Sequence, residues 1–362
     1  MAGFENVAWA PGQISYDLND RAVKMLDPEA GTYAVSRSIH YGLCLAFEGI
    51  RFFVKRQGDK LFVVFLNLDH NINRFRDGIS FNLDNQELTP SRHRLIELVL
   101  EYLSHPSLRW FMTAMALDGA QGYLRPFSLD HEQSIGVTFP ANPQVRMVAA
   151  RYSGYLGEPF HGVSVPWLVR AVATNGTGCL KLGINYLLSV KAVSEAKKIL
   201  PGSGAALFLD DRPYDSLEQR QISEWDSSCC LFALKDGSVI KIPESPLILP
   251  SVTINGVCAI LRQMGTTVNE RHVTYGELVE WARQDKVATV VSVGTAGILN
   301  RCSTLLLVDN ERQELGRIEA DTNHPLFHRL DEVRNYYWEI YKETVQVPEG
   351  LPLNIYEIGP AA

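Results

Sequence analysis

Prolines and glycines crowd one stretch of this chain, from Asn142-Pro143 to Gly154-Tyr155-Leu156-Gly157-Glu158-Pro159. Neither residue type sustains a helix or a central strand, so the stretch divides the sequence. With 362 residues in all, each side is long enough to bury a core of its own. The expectation is a smaller N-terminal α/β domain over 1–145, a linker over 146–157 and a larger C-terminal domain over 158–362. Hydrophobic residues at 46% and charged residues at 21% match ordinary globular usage, which excludes a wholly disordered or fibrous chain.

On the N-terminal side, Leu61-Phe62-Val63-Val64-Phe65-Leu66 follows the turn Gln57-Gly58-Asp59 as a hairpin strand would. Thr89-Pro90 reads as a helix start, and Leu95, Leu98, Val99, Tyr102 and Leu103 then repeat at helical spacing. Beyond the break the pattern gives a strand from Val163 to Ala173 and a helix from about Ser189 to Leu200, stopped by Pro201-Gly202. A further helix begins near Val252. Thr274 and Glu277 form a capping box for another through Ala282. Val287 to Val293 is a β-branched strand, and Pro325 to Tyr341 is a last helix. Strands and helices alternate loosely without a Gly-x-Gly-x-x-Gly turn, so the class is α+β or α/β but not a dinucleotide fold.

A formal net charge of −7 without a Lys/Arg block argues against nucleic-acid partners. No run approaches the roughly 18 apolar residues of a membrane span. The first residues, Met1-Ala2-Gly3-Phe4-Glu5-Asn6, do not read as a secretory signal. Cys44, Cys179, Cys229, Cys230, Cys258 and Cys302 form no Cys-x-x-Cys pair, so the expected setting is reducing and cytoplasmic. His324 and His328 have no nearby acidic partner that would suggest a site, and no metal is expected.

The chemistry centres on Lys181, which sits among Cys179, Leu180, Leu182, Gly183 and Ile184. An apolar setting helps an amine lose its proton and become a nucleophile; taken alone, the same residue reads as a lysine reaching from a strand end to water. Glu224 follows Ile222-Ser223, where a carboxylate could pair with a pyridinium nitrogen or simply face solvent. Val252 and Thr253 follow Pro250 at a helix start, where free N–H groups attract a phosphate. Thr295 lies between Gly294 and Ala296 at a strand end, and Arg74 could add positive charge. Arg125, between Tyr123 and Pro126, suits bidentate carboxylate recognition or a surface ion pair.

Together these motifs resemble the class IV pyridoxal-phosphate aminotransferases of fold type IV, a group that includes branched-chain and D-amino-acid aminotransferases. His40-Tyr41-Gly42 with Phe47-Glu48-Gly49-Ile50-Arg51 is similar to the branched-chain subgroup's His-Tyr-Gly…Phe-Glu-Gly-Ile-Arg, and Lys181-x-Gly183-x-Asn185-Tyr186 to its Lys-x-Gly-Gly-Asn-Tyr. The resemblance spans about Tyr41 to Ala296. It implies a two-domain homodimer whose active site lies between domains, with pyridoxal 5'-phosphate as cofactor and small amino acids and 2-oxo acids as partners. It also implies roles by position. Lys181 would form the Schiff base and then move the α-proton. Glu224 would face the ring nitrogen and Tyr186 the 3-hydroxyl. Arg74, Val252, Thr253 and Thr295 would hold the phosphate, and Leu249 would pack under the ring. Tyr123 with the amides of Thr295 and Ala296 would bind the α-carboxylate, and Arg125 a distal one. Tyr41, Phe47, Tyr152 and Tyr155 would line an apolar side-chain pocket.

The expected activity is transfer of an amino group between a hydrophobic, branched-chain-like L-amino acid and a 2-oxo acid such as 2-oxoglutarate. A lyase of the aminodeoxychorismate-lyase type and a cofactor-binding protein without turnover are the alternatives. The sequence departs from the subgroup where Glu-Gly-Ala-Gly-Glu-Asn becomes Glu224-Trp225-Asp226-Ser227-Ser228-Cys229, and where Leu-Pro-Gly-Ile-Thr-Arg becomes Leu249-Pro250-Ser251-Val252-Thr253-Ile254. Side chains thus stand at positions where glycine could adopt positive φ, which marks a divergent member.

Overall fold

The computed structural model describes residues 7–152, 159–170, 176–212 and 216–362. The chain forms two compact units, one from 2–155, 180–184 and 350–362, the other from 156–179 and 185–349.

The first unit is built on an antiparallel sheet. Its strands are β1 (Ala8–Trp9), β2 (Gln13–Asp17), β3 (Val23–Leu26), β4 (Ile50–Gln57), β5 (Lys60–Leu66), β6 (Gln121–Asp130) and β7 (Pro143–Tyr152), joined by the C-terminal strand Leu353–Pro360. The order is C-terminal strand, β5, β4, β6, β7, β2, β3, with β1 also on β7. The hairpin expected around Gly58 is present, with Gln57 opposite Lys60. β7 starts at Pro143, the first position of a strand, where a missing N–H is tolerated. Helices α1 (Arg37–Tyr41), α2 (Leu68–Phe81), α3 (Arg92–Leu103) and α4 (Arg109–Asp118) complete the unit. α2 turns Leu68, Ile72, Phe75 and Ile79 inward. It comes close to Ala46 because Gly78 lacks a Cβ, which would stand 2.9 Å from the Ala46 methyl carbon. The helix expected at Thr89-Pro90 begins later: Ser91 is the cap, its hydroxyl accepting from the Arg94 amide at 3.1 Å. Buried Tyr102 ties α3 to the rest of the unit, donating to the Gly12 carbonyl at 2.6 Å and accepting from the Ala149 amide at 3.0 Å.

The second unit carries β8 (Phe160–Ser164), β9 (Ser203–Leu209), β10 (Ile222–Trp225), β11 (Cys229–Leu234), β12 (Val239–Lys241), β13 (Val268–Glu270), β14 (Val287–Gly294), β15 (Ile298–Val308) and β16 (Glu314–Glu319). The sheet order is β10, β9, β8, β15, β14, β11, β12, β13, with β16 on β15. β8 runs parallel to both neighbours, β9 and β15. The parallel link from β8 to β9 is made through α5 (Leu187–Ile199), as parallel strands require a crossover. α5 buries Ala192, Val193 and Ala196 against Val163, Ala206 and Phe208. β8 ends at Ser164, because Pro166 offers no N–H to continue a ladder, and the far end of the strand expected to Ala173 lies outside the described residues. α6 (Val252–Gln263), α7 (Tyr275–Arg283) and α8 (Pro325–Tyr341) follow. Thr274 caps α7 by accepting from the Glu277 amide at 3.2 Å. The Glu277 carboxylate pairs instead with Arg271, at 2.7 and 2.9 Å.

The largest fully buried side chain among the described residues is Trp225. Its indole N–H donates to the Val291 carbonyl at 3.2 Å, and its ring meets Phe160 edge-on with centroids 5.1 Å apart. Gly162 makes the space: a Cβ there would lie 2.6 Å from the indole. Gly162→Ala should therefore destabilise the protein by about 1–3 kcal/mol, measured as a lower midpoint in urea unfolding. Unchanged stability would mean that Trp225 is not packed against β8.

Candidate active site

Lys181 belongs to a short segment sewn onto the first unit by main-chain bonds. The Phe47 amide donates to the Lys181 carbonyl at 3.0 Å and the Gly183 amide to the Leu45 carbonyl at 2.9 Å. Ala46 and Leu182 form the bridge between them. Leu182 is buried while Lys181 is half-buried, so the alternation of an extended segment turns one inward and leaves the other reachable. The ammonium lies 5.1 Å from the Phe47 ring centroid, a cation–π distance.

Glu48 follows Phe47 and is fully buried. Arg74, on α2, grips it with two bonds, Nε to Oε2 at 2.6 Å and Nη2 to Oε1 at 2.5 Å. The Gly49 amide donates to Oε1 at 2.8 Å. Burial works to raise the Glu48 pKa, but the charge and hydrogen bonds of Arg74, the charge of Lys181 and the Gly49 amide outweigh it and hold the carboxyl below its usual range. Glycine is required at 49 because a Cβ would collide with the Tyr123 hydroxyl.

On β6, half-buried Tyr123 and Arg125 alternate with buried Gly122, Leu124 and Pro126 and so share one face. Arg125 donates from Nη2 to the Tyr123 hydroxyl at 2.6 Å. Its guanidinium carbon lies 4.8 Å from the Phe47 ring centroid and 5.2 Å from that of Tyr123. Phe47 is thus flanked by two cations, Lys181 and Arg125. Tyr41 is exposed and donates to the Ile135 carbonyl at 3.0 Å. Tyr152 is buried on β7, where Arg51 lies 5.8 Å from its ring. Tyr155 lies outside the described residues.

The remaining expected residues sit in the second unit. Glu224, near the end of β10, is buried and ion-paired with Arg170, which is also buried. The sequence reading missed Arg170, which no local pattern marks. Its guanidinium carbon lies 5.8 Å from the Tyr186 ring, at the N-terminal end of α5. Desolvation lowers its pKa despite nearby anionic groups, and its Nε finds no hydrogen-bond partner among the described residues. Leu249 is buried ahead of α6 and accepts from the Cys229 thiol at 3.7 Å. Val252 and Thr253 are buried in the first turn of α6, where amides have no acceptor within the helix. Ser251 caps this turn through the Ile254 amide at 3.2 Å. Thr295 and Ala296 form the turn between β14 and β15. Among the described residues with positive φ, none lies between 224 and 229, so the side chains that replace glycine there impose no left-handed strain.

The first unit holds half-buried Lys181 near a buried carboxylate–arginine pair, and the second holds another such pair and the N-terminus of α6. No family model matches the chain. A probable branched-chain-amino-acid aminotransferase of Staphylococcus aureus (strain N315) is 27% identical over 286 residues, which cover 76% of this chain and 72% of that protein. The branched-chain amino acid aminotransferase of Thermobaculum terrenum, solved in its PLP form, superposes with a TM-score of 0.68 at 16% identity, covering 96% of this chain and 99% of the other. The enzyme from Thermoproteus uzoniensis with norvaline gives a TM-score of 0.66 at 20% identity, covering 94% and 99%. The fold is that of the branched-chain aminotransferases. In sequence the chain resembles the same proteins as a divergent relative, and the fold-type IV, α+β expectation holds.

Glu48→Gln would leave Arg74 buried without its countercharge. It should cost about 3–5 kcal/mol of folding stability near neutral pH. A carboxyl held low in the folded state contributes stability above its unfolded pKa and loses it as pH falls through the folded value. The gap between wild type and variant in urea unfolding should therefore shrink in acid. A constant gap across that range would remove Glu48 as an ionised partner.

Proposed function

We propose that this chain is a pyridoxal-phosphate-dependent aminotransferase. It moves an amino group between an L-amino acid with a hydrophobic, branched-chain-like side chain and a 2-oxo acid such as 2-oxoglutarate. The observation that carries this reading is the setting of Lys181: an accessible amine, placed by main-chain bonds beside Phe47 and within the field of the Glu48–Arg74 pair. The residues present suit the cofactor. A buried carboxylate with its own arginine matches a ring nitrogen that is to stay protonated. The first turn of α6 matches a phosphate.

Bound pyridoxal phosphate supplies an aldehyde and an electron-withdrawing ring. Lys181 would hold the cofactor through its amine, and the same amine would take and return the substrate's α-proton. Glu224 would face the ring nitrogen, and Tyr186 the 3-hydroxyl. Val252, Thr253 and Thr295 would hold the phosphate, with Leu249 under the ring, and Arg74 would add positive charge from its pair with Glu48. Tyr123 with the Thr295 and Ala296 amides orients the α-carboxylate. Arg125, fixed between two aromatic rings, takes a distal carboxylate, and Phe47, Tyr41, Tyr152 and Tyr155 favour an apolar side chain.

We assign the working form as a homodimer in the cytoplasm. Support comes from apolar side chains left exposed on the first unit, among them Ile39, Tyr41, Phe81, Ile135, Val137 and Phe139. Leu43, Cys44, Phe81, Val137, Phe139 and Pro140 also line a groove there of about 330 Å³. No helix among the described residues is long and apolar enough to cross a membrane.

The purified protein should show a visible cofactor band that branched-chain L-amino acids bleach and 2-oxoglutarate restores. Lys181→Ala should lose that band and all turnover while remaining folded. A protein that cannot be loaded with pyridoxal phosphate, or a Lys181→Ala variant that still turns over, would sink this assignment.

A further inference from the structure

Ser228 has no role in the reading above, yet it touches the strand that ends in the Thr295–Ala296 turn. It stands one position ahead of β11, whose first residue, Cys229, pairs with Val293 on β14. Its hydroxyl lies 2.6 Å from the Ser292 hydroxyl on β14, and either can donate. Its methylene carbon covers Gly294, the last residue of β14: a Cβ on Gly294 would stand 3.3 Å from it, inside the spacing at which carbons pack best. Ser228 therefore holds the end of β14 twice, by a hydrogen bond at 292 and by close packing at 294.

The turn that follows carries strain. β14 and β15 pair as far as Gly294 opposite Ile298, so residues 295–297 make the connection. Ile298 has a φ of 61° and is fully buried. A β-branched residue in the left-handed region is strained, and such a backbone persists only where its surroundings over-determine it. The ladder across the hairpin and the buried Ile298 side chain fix the turn from within. Ser228 fixes it from outside, from the chain that enters β11.

We propose that Ser228 is a positioning residue for the substrate: through Ser292 and Gly294 it holds the Thr295–Ala296 turn in the form that offers its amides to the α-carboxylate. This rests on the aminotransferase reading, in which those two amides receive that carboxylate. The branched-chain subgroup has glutamate where Ser228 stands, so this hydroxyl pair belongs to the divergent segment of the chain. Amides held in place before the substrate arrives need not be ordered by its binding. The α-carboxylate takes no part in the bonds that change, so its contacts are alike in the ground and transition states. Loosening the turn must therefore appear in KM and not in kcat.

The test compares wild type with Ser228→Ala, Ser292→Ala and the double variant. In cofactor-free protein, backbone hydrogen exchange over residues 293–299 should be faster in each single variant than in wild type. The double variant should match the singles, because either change alone breaks the pair. In the loaded enzyme, KM for a branched-chain L-amino acid should rise on the order of 3- to 10-fold in all three variants, with kcat within about twofold of wild type. The dissociation constant of 3-methylbutanoate, a branched carboxylate with no amine to react, should rise by the same factor when followed by the visible cofactor band. Unchanged exchange, effects that add in the double variant, or faster exchange with KM and carboxylate affinity unmoved would each overturn this proposal alone. So would a loss carried by kcat. A wild-type protein that does not load pyridoxal phosphate would overturn it together with the aminotransferase reading, while the exchange data would still report whether the hydroxyl pair holds the turn.

Discussion

The short bridge between residues 45–47 and 181–183 is the constraint from which the rest of the candidate chemistry follows. Two main-chain hydrogen bonds fix Lys181 to the chain of the N-terminal unit although it lies far along the sequence. The same bridge sets Phe47 against the Lys181 amine and delivers Glu48, the next residue, into the interior where Arg74 meets it. Gly78 and Gly49 serve this arrangement. One lets α2 approach Ala46 closely, and the other leaves room for the Tyr123 hydroxyl.

Each unit buries a carboxylate against an arginine among the candidate residues, Glu48 with Arg74 and Glu224 with Arg170, a choice that weakens a fold unless something offsets it. Breaking either pair by removing one partner would strand a charge, whereas an apolar replacement of both could be tolerated. The two pairs are not alike. Glu48 accepts two bonds from Arg74 and one from Gly49, so its charge is well satisfied. Arg170 reaches Glu224 while its Nε goes without a partner among the described residues and burial lowers its pKa.

Sequence patterns carried the regular elements because those depend on local signals. The α8 span, the Thr274 cap and the Gly58 hairpin all follow from residues within a few positions of each other. Where a tertiary partner decided the outcome, the local reading slipped. Ser91 rather than Thr89 caps α3, and Glu277 turns to Arg271 instead of closing its capping box. Lys181, Glu224 and Arg125 could be picked out by residue type and by resemblance, but Arg170 could not. Its meaning comes from a carboxylate 54 residues away in sequence, and nothing near it in the chain signals that contact.

The segment from Glu224 to Cys229 shows how a departure from the related sequences is absorbed. Side chains replace two glycines there, yet the backbone stays out of the left-handed region. Trp225 is accommodated from β8, two strands away in the sheet, where Gly162 gives up its side-chain volume to the indole. Ser228 gains a contact of its own, hydroxyl to hydroxyl with Ser292 at 2.6 Å. Volume added at 225 is met by Gly162 and polarity added at 226 by the Ala206 amide, so the segment is a repacked strand end and not a damaged loop.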